Sequence, residues 1–272
     1  MDCKFCGSTQ VVRYGKRSGI QYYVCRSCRR TFAGTDAPEG MRTPLQEIST
    51  ALKLYYYGLS LSVIQRHLNH IYMKPVETST IYRWVLKYAQ KASMVMENYR
   101  VKTCNTWLID ETVIQLDGTN VWFWDVIDEN TRFILASHIS RTRTMDDAEI
   151  ILNNATENTT EKPNFIVSDG MLFYPDGIEK VFGSDGKYIK MIDTSGEINK
   201  MLFEEFHDSL KQRTKIIRGL KSINSARLLL GGFLVHYNYF KPRISLEDKT
   251  PAQVAEIQIP FQNWEDLIKY QY

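Results

Sequence analysis

Four of the five cysteines fall as Cys3-x-x-Cys6 and Cys25-x-x-Cys28, with eighteen residues between the two pairs. No other feature restricts the fold as strongly. Two such knuckles can set four thiolates at the corners of a tetrahedron, the arrangement that one structural zinc ion takes. The N-terminus MDCKFCGSTQ lacks the apolar core of a secretory signal, and no run reaches the eighteen apolar residues of a membrane helix. The chain is therefore read as soluble and intracellular, where thiols stay reduced and a metal is preferred to disulfides. A segment this short has little core of its own, so zinc supplies much of its folding free energy. Gln10 to Tyr14 and Gln21 to Val24 are β-rich and flank Gly15 to Gly19, which predicts a hairpin and makes residues 1–35 a zinc ribbon.

A net charge of +3 over 272 residues is too small to name a nucleic-acid partner, so its distribution decides. Residues 1–43 carry Lys4, Arg13, Lys16, Arg17, Arg26, Arg29, Arg30 and Arg42 against Asp2, Asp36 and Glu39. Arg26, Arg29 and Arg30 surround the second knuckle and would face phosphates if the ribbon binds DNA.

The turn-rich stretch TDAPEGMRTP ends the ribbon, and apolar residues then recur at helical spacing in LQEISTALKLYYYG. Gly58 breaks that helix, Ser60 caps the next (LSVIQRHLNHI), and Ser79 or Thr80 caps a third, TIYRWVLKYAQKA. The order fits a helix-turn-helix module over residues 36–98. In such a module the N-terminal residues of the recognition helix lie nearest the base edges, which makes Thr78, Ser79, Thr80, Tyr82 and Arg83 the candidates. Ile81 and Trp84 are assigned to its core, and His67 and His70 to its surface.

From residue 105 the pattern turns to strands: NTWLIDETVIQL, VWFWDVID and RFILASHIS, separated by Asp117-Gly118 and Glu129-Asn130. A helix around Asp146 to Asn153, a strand NFIVSD, a helix after Pro175, a strand KYIKMID and a longer helix from about Asn199 follow. The order predicts an α/β domain over residues 99–245 with an RNase H-like mixed sheet, closed by a C-terminal segment over 246–272. Asp110 then stands within the first strand of this sheet and Asp169 at the end of the fourth. With Glu204 from the last helix they offer the hard oxygen ligands that a pair of Mg²⁺ or Mn²⁺ ions prefers. Glu111, Asp117, Asp125, Asp128, Asp146 and Asp147 are read as surface charges, and Cys104 as an apolar filler.

The pieces CKFCGSTQVVRYGKRSGIQYYVCRSCRRTF, STIYRWVLKYA, WLIDET, VSDG, EEFHDSLKQR, GLKSINSA and HYNYFKPRISLEDKTPAQVA together resemble insertion-sequence transposases of the DDE superfamily, kin to retroviral integrases. The resemblance covers nearly the whole chain. It implies that Asp110, Asp169 and Glu204 are the catalytic, metal-holding acids, with 34 residues between the second and third. Glu204 stands seven residues before Lys211 of L-K-x-R; Glu205 occupies the place where the family commonly has Arg, and remains the alternative third acid. The basic stretch Lys211, Arg213, Lys215, Arg218, Lys221 and Arg227 is suited to DNA phosphates.

The activity implied is cleavage at transposon ends followed by attack of the freed 3′-hydroxyl on target DNA. Partners implied are double-stranded DNA (terminal repeats and target) and a second copy of the chain, as a homodimer or larger synaptic complex in a prokaryotic, nucleoid-associated cytoplasm. A DNA-binding regulator that has lost catalysis is the rival reading. A nuclease acting on RNA–DNA hybrids is disfavoured by the two added DNA-binding modules.

Overall fold

In the computed structural model the chain is described except at residues 18, 39, 40, 74, 169–172, 184–186, 191–194, 217–221, 271 and 272, with the backbone alone described at 173, 187–190, 195–202, 215 and 216. The predicted hairpin is present as β1 (Val11–Arg17) and β2 (Ile20–Cys25), antiparallel, with Val11 opposite Cys25. A third strand, β3 (Thr31–Ala33), absent from the sequence reading, pairs with β2. Cys3, Cys25 and Phe32 form a small core of their own, with Phe32 edge-on to Phe5 and stacked on Tyr23. So few apolar side chains bury little surface, which is why the cysteine cluster matters to this unit.

Helices α1 (Leu45–Tyr56), α2 (Leu61–Tyr72) and α3 (Thr78–Met96) follow. Gly58 takes φ +102° between the first two, a left-handed turn that a side chain would strain. Ser60 caps α2 as expected, its side chain accepting from the Val63 amide at 3.4 Å. For α3 the cap position is Glu77 rather than Ser79 or Thr80: the Ile81 amide already donates to the Glu77 carbonyl at 3.1 Å, so Thr78 to Thr80 lie inside the first turn. Ile81, Trp84, Val85, Tyr88, Ala89, Ala92 and Val95 recur at helical spacing on the buried side of α3. That side does not close a separate three-helix core. It packs along α7 (Ile223–Val235), and the helices share one hydrophobic core with the sheet behind them.

The sheet has strand order β6-β5-β4-β7-β8, from β4 (Thr106–Leu116), β5 (Thr119–Asp128), β6 (Ile134–Ser140), β7 (Phe165–Ser168) and β8 (Lys187–Lys190). β4, β5 and β6 are antiparallel, and β7 and β8 add in parallel. The Asp117-Gly118 turn predicted between β4 and β5 has positive φ at both residues (49° and 74°), as a two-residue hairpin of the primed type needs.

Successive residues of β4 point to opposite faces. On one face Trp107 meets Phe182 of α5 (Phe173–Phe182), and α4 (Met145–Glu157) packs beside it. The other face bears Phe123, which meets Phe206 of α6 (Ser195–Ile216). The edge strand β6 is covered by the single turn of π-helix His236–Phe240. There the Asn238 side chain donates to the Ile134 carbonyl and accepts from its amide, both at 3.0 Å.

Two short helices close the chain, α8 (Pro251–Val254) and α9 (Trp264–Lys269). The closing segment ties back to the helical module: Trp264 stacks on Tyr56 at 4.9 Å, and the Lys91 ammonium donates to the carbonyls of Ile268 and Tyr270. Among the described residues, no helix is long and apolar enough to cross a membrane.

Candidate active site

Asp110 sits mid-strand in β4, with 22% of its side chain exposed, opposite Asp125 of β5. Directly opposed residues of an antiparallel pair share a face, so two carboxylates are forced together there. Burial, and then the charge of Asp125, push the Asp110 carboxyl up to about 7. A carboxylate so placed gains a great deal from a cation, and its oxygens are the hard donors that Mg²⁺ and Mn²⁺ take. Asp125 is fully buried, not on the surface as the sequence reading had it. Its Oδ1 accepts from His207 Nε2 at 2.7 Å. Burial opposes protonation of His207, but the charge and hydrogen bond of Asp125 overcome it and raise the imidazole's pKa. His207 Nδ1 lies 3.9 Å from Asp110 Oδ2.

The direction of the Asp110 shift makes a prediction about stability. The folded state holds the proton to about pH 7, the unfolded chain only to the usual carboxylate range, so stability present at pH 4 is lost as pH rises through 7. In magnesium-free buffer, Asp110→Asn is therefore expected to match wild type near pH 4 and to exceed it above pH 7. The gain is on the order of 2 to 4 kcal/mol for a shift of this size. Thermal melts across pH check it; a pH-independent difference would contradict the assignment.

α6 supplies Glu204, exposed, three residues before His207 and so on the neighbouring part of the same helix face. Glu205 points elsewhere, about 100° round the helix. Its carboxylate is held by Arg243 Nη1 at 2.5 Å and lies 3.6 Å from Arg132 Nη1, whereas Glu204 has no ion pair among the described residues. The two adjacent glutamates therefore have different surroundings. Asp169 lies outside the described residues.

Lys211, seven residues after Glu204, returns to nearly the same side of α6 and is exposed. Arg213 does not join it. Expected to meet DNA phosphates, it is 2% exposed, its guanidinium 3.4 Å from the ring centroid of Tyr55. Lys211 and Arg213 are two residues apart, about 200° round a helix, so they cannot share a face. The Lys215 side chain and Arg218 lie outside the described residues. Arg26, Arg29, Arg30, Ser79 and Arg83 are exposed, and Thr80 and Tyr82 half-buried. Arg83 folds back on its own helix, donating to the Ser79 carbonyl and to Thr80 Oγ1, both at 3.2 Å.

Three further acids assigned to the surface are buried structural acceptors. Glu111 accepts from Arg143 Nε at 2.6 Å and from the Tyr174 hydroxyl of α5. Asp128 accepts from the Cys104 amide at 2.7 Å and from the Thr131 amide and hydroxyl. Asp147 closes the capping box of α4, accepting from Thr144 and Thr142. In each, buried N–H or O–H donors compensate the lost hydration. Asp117 and Asp146 are exposed, as expected.

The four cysteines come together as predicted. All four Sγ atoms lie within 4.8 Å of one another, with Cys3 to Cys28 at 3.6 Å and Cys6 to Cys25 at 3.7 Å. A tetrahedral zinc with sulfurs at about 2.3 Å has sulfur–sulfur edges of about 3.8 Å, so the cluster fits that ion. Amides of Cys28 and Ser27 aimed at the Cys25 sulfur lower its pKa to about 6, toward the thiolate a metal takes.

A family model for the DDE domain of IS240-type transposases matches residues 104–243, 140 of the 272. The chain belongs to the DDE transposase family. That span opens just before β4, closes at Arg243 and contains Asp110, Asp169, Glu204 and the Arg243–Glu205 pair; the ribbon and α1 to α3 precede it. An uncharacterized protein of Methanocaldococcus jannaschii is 28% identical over 192 residues, 69% of this chain and 83% of its own.

A chain of the simian T-cell lymphotropic virus intasome in complex with the PP2A regulatory subunit B56 gamma aligns at 13% identity and TM-score 0.45, covering 75% of this chain and 74% of that one. The BIV integrase catalytic core domain aligns at 16% identity and TM-score 0.42, covering 56% and 93%. The mixed sheet of this DDE transposase is RNase H-like, and its family places it in DNA transposition, with chemistry of the kind that divalent metals support.

Proposed function

We propose that this DDE transposase family member is an active DNA transposase, cutting at the ends of its element and joining them to target DNA in a metal-dependent reaction. The observation that carries the reading is Asp110: a mostly buried carboxyl on the central strand, its pKa raised to about 7 by burial and then by the charge of Asp125 opposite, under the helix that presents Glu204. Asp169 is the proposed second ligand. In the parallel register Leu108 pairs with Val167, and Asp110 and Asp169 each stand two residues further along the chain.

Two divalent ions held by Asp110, Asp169 and Glu204 would supply activation of the attacking oxygen and stabilisation of the leaving oxygen of a phosphodiester. The protein's own part is placement. β4 holds Asp110 in the sheet, and His207 places its imidazole between Asp125 and Asp110. The Arg243–Glu205 contact engages the neighbouring carboxylate, while Glu204 has no ion pair among the described residues.

Residues 1–35, with Arg26, Arg29 and Arg30, and the helices of 36–98, with Ser79, Thr80, Tyr82 and Arg83 at the start of α3, are the proposed DNA-recognition surfaces. Lys211 meets phosphates beside the carboxylates. Concerted joining of two ends requires two copies, so the working form is a homodimer or larger synaptic assembly on double-stranded DNA.

The two adjacent glutamates test this reading sharply. Glu204→Gln is expected to lower Mn²⁺-dependent strand cleavage about a hundred- to a thousandfold, the scale of losing electrostatic stabilisation made in the transition state. Glu205→Gln, which keeps an oxygen acceptor for Arg243, should keep cleavage within about tenfold. The reverse ranking in a cleavage assay with matched thermal melts would sink the assignment.

A further inference from the structure

Asp125 presents a problem that the proposed chemistry does not absorb. A fully buried acid on a central strand costs folding free energy, and apolar residues of similar shape generally serve stability as well or better than a buried ion pair. Oδ1 accepts from His207 Nε2 at 2.7 Å, and Oδ2 has no partner among the described residues. His207 in turn is 7% exposed, wedged between Phe203 and Phe206 with both ring centroids 5.7 Å from its own. Phe206 rests on Phe123, two residues before Asp125 and on the same face of β5. The imidazole lies with Nε2 on Asp125 and Nδ1 toward Asp110 Oδ2 at 3.9 Å.

We propose that Asp125 and His207 are a positioning pair, resting on the transposase reading above, that sets the Asp110 carboxylate and the Glu204-bearing turn of α6 at a fixed separation for divalent metal binding. The pair joins the two elements concerned directly. Asp125 is the cross-strand partner of Asp110, and His207 is one turn from Glu204 on the helix packed over β4. Neither residue touches DNA or metal in this account; each acts through the carboxylate beside it. Partners of this kind around metal ligands are worth about 10- to 100-fold in metal affinity.

The test uses the full-length, zinc-loaded protein without DNA, with Mn²⁺ binding followed by the paramagnetic resonance of the free ion, alongside Mn²⁺-dependent cleavage. His207→Phe is expected to weaken Mn²⁺ binding about tenfold or more and to raise the half-saturating Mn²⁺ for cleavage by the same factor. The rate at saturating Mn²⁺ stays within about threefold, the signature of a group that positions the ligands. His207→Gln, which keeps a donor near the Nε2 position, should recover to within about threefold of wild type.

Should His207→Phe fail to fold in thermal melts, Asp125→Asn, which keeps an oxygen acceptor, against Asp125→Leu carries the same comparison. Unchanged Mn²⁺ affinity in His207→Phe, or a fall in the saturated rate with affinity unchanged, would overturn the proposal. If wild type and Asp110→Asn bind Mn²⁺ alike, the transposase reading itself fails, which is a distinct outcome.

Discussion

Gly232→Ala is expected to destabilise the protein by about 3 kcal/mol or more, although alanine is the better helix former by about 1 kcal/mol. A Cβ built on Gly232 would lie 2.0 Å from Tyr56 Oη, 2.8 Å from Tyr56 Cζ and 2.9 Å from Ala89 Cβ. Tyr56 has no room to retreat. It is 3% exposed, stacked on Trp264 on one side and on His236 at 5.8 Å. This glycine lets α7 approach both α1 and α3, and so joins the helical module to the sheet domain. Urea unfolding should show a lower midpoint with an unchanged slope, and Tyr56→Phe in the same chain should restore part of the loss by removing the hydroxyl. A rise in the midpoint, as helix propensity alone predicts, would contradict the packing.

The second large effect is confined to the other end of the chain. Removing zinc, or replacing Cys6 or Cys25 with serine, is expected to unfold residues 1–35 while the main unfolding transition stays in place. The ribbon's core of Cys3, Cys25 and Phe32 is separate from the core shared by the helices and the sheet. Without the metal such a unit has almost nothing to offset its chain entropy. Amide exchange after chelation, with zinc content measured as one per chain, separates the outcomes. Protection lost only in the ribbon supports the account; unchanged protection, or a main transition lowered along with it, contradicts it.

Much of this architecture is legible in the linear pattern because its signals are local. Cysteine spacing, the Ser60 cap, the Asp117-Gly118 turn and the apolar runs around Asp110 each need only a few neighbouring residues to be read. What stayed hidden depends on neighbours distant in sequence. VWFWDVID looks like a strand with acids turned to water, yet it is central to the sheet and covered on both faces, so Asp125 and Asp128 are buried. His207 drew no notice because its meaning lies in Asp125, 82 residues earlier. Arg213 seemed one of a basic run until the turn of α6 carried it to Tyr55. Counting back from Lys211 favoured Glu204 but kept Glu205 as the alternative; that Arg243 and Arg132 hold Glu205 depends on residues far away in sequence.

The measurement closest to the central claim is Mg²⁺- or Mn²⁺-dependent cleavage and strand transfer on DNA carrying the element's own ends. Wild type is compared with Asp110→Asn, Asp169→Asn and Glu204→Gln, with DNA binding scored in parallel. The account predicts metal-dependent cleavage and joining by wild type, lost in each variant while binding persists. Wild-type protein that binds those ends but shows no metal-dependent cleavage would contradict it and leave a DNA-binding regulator as the better description.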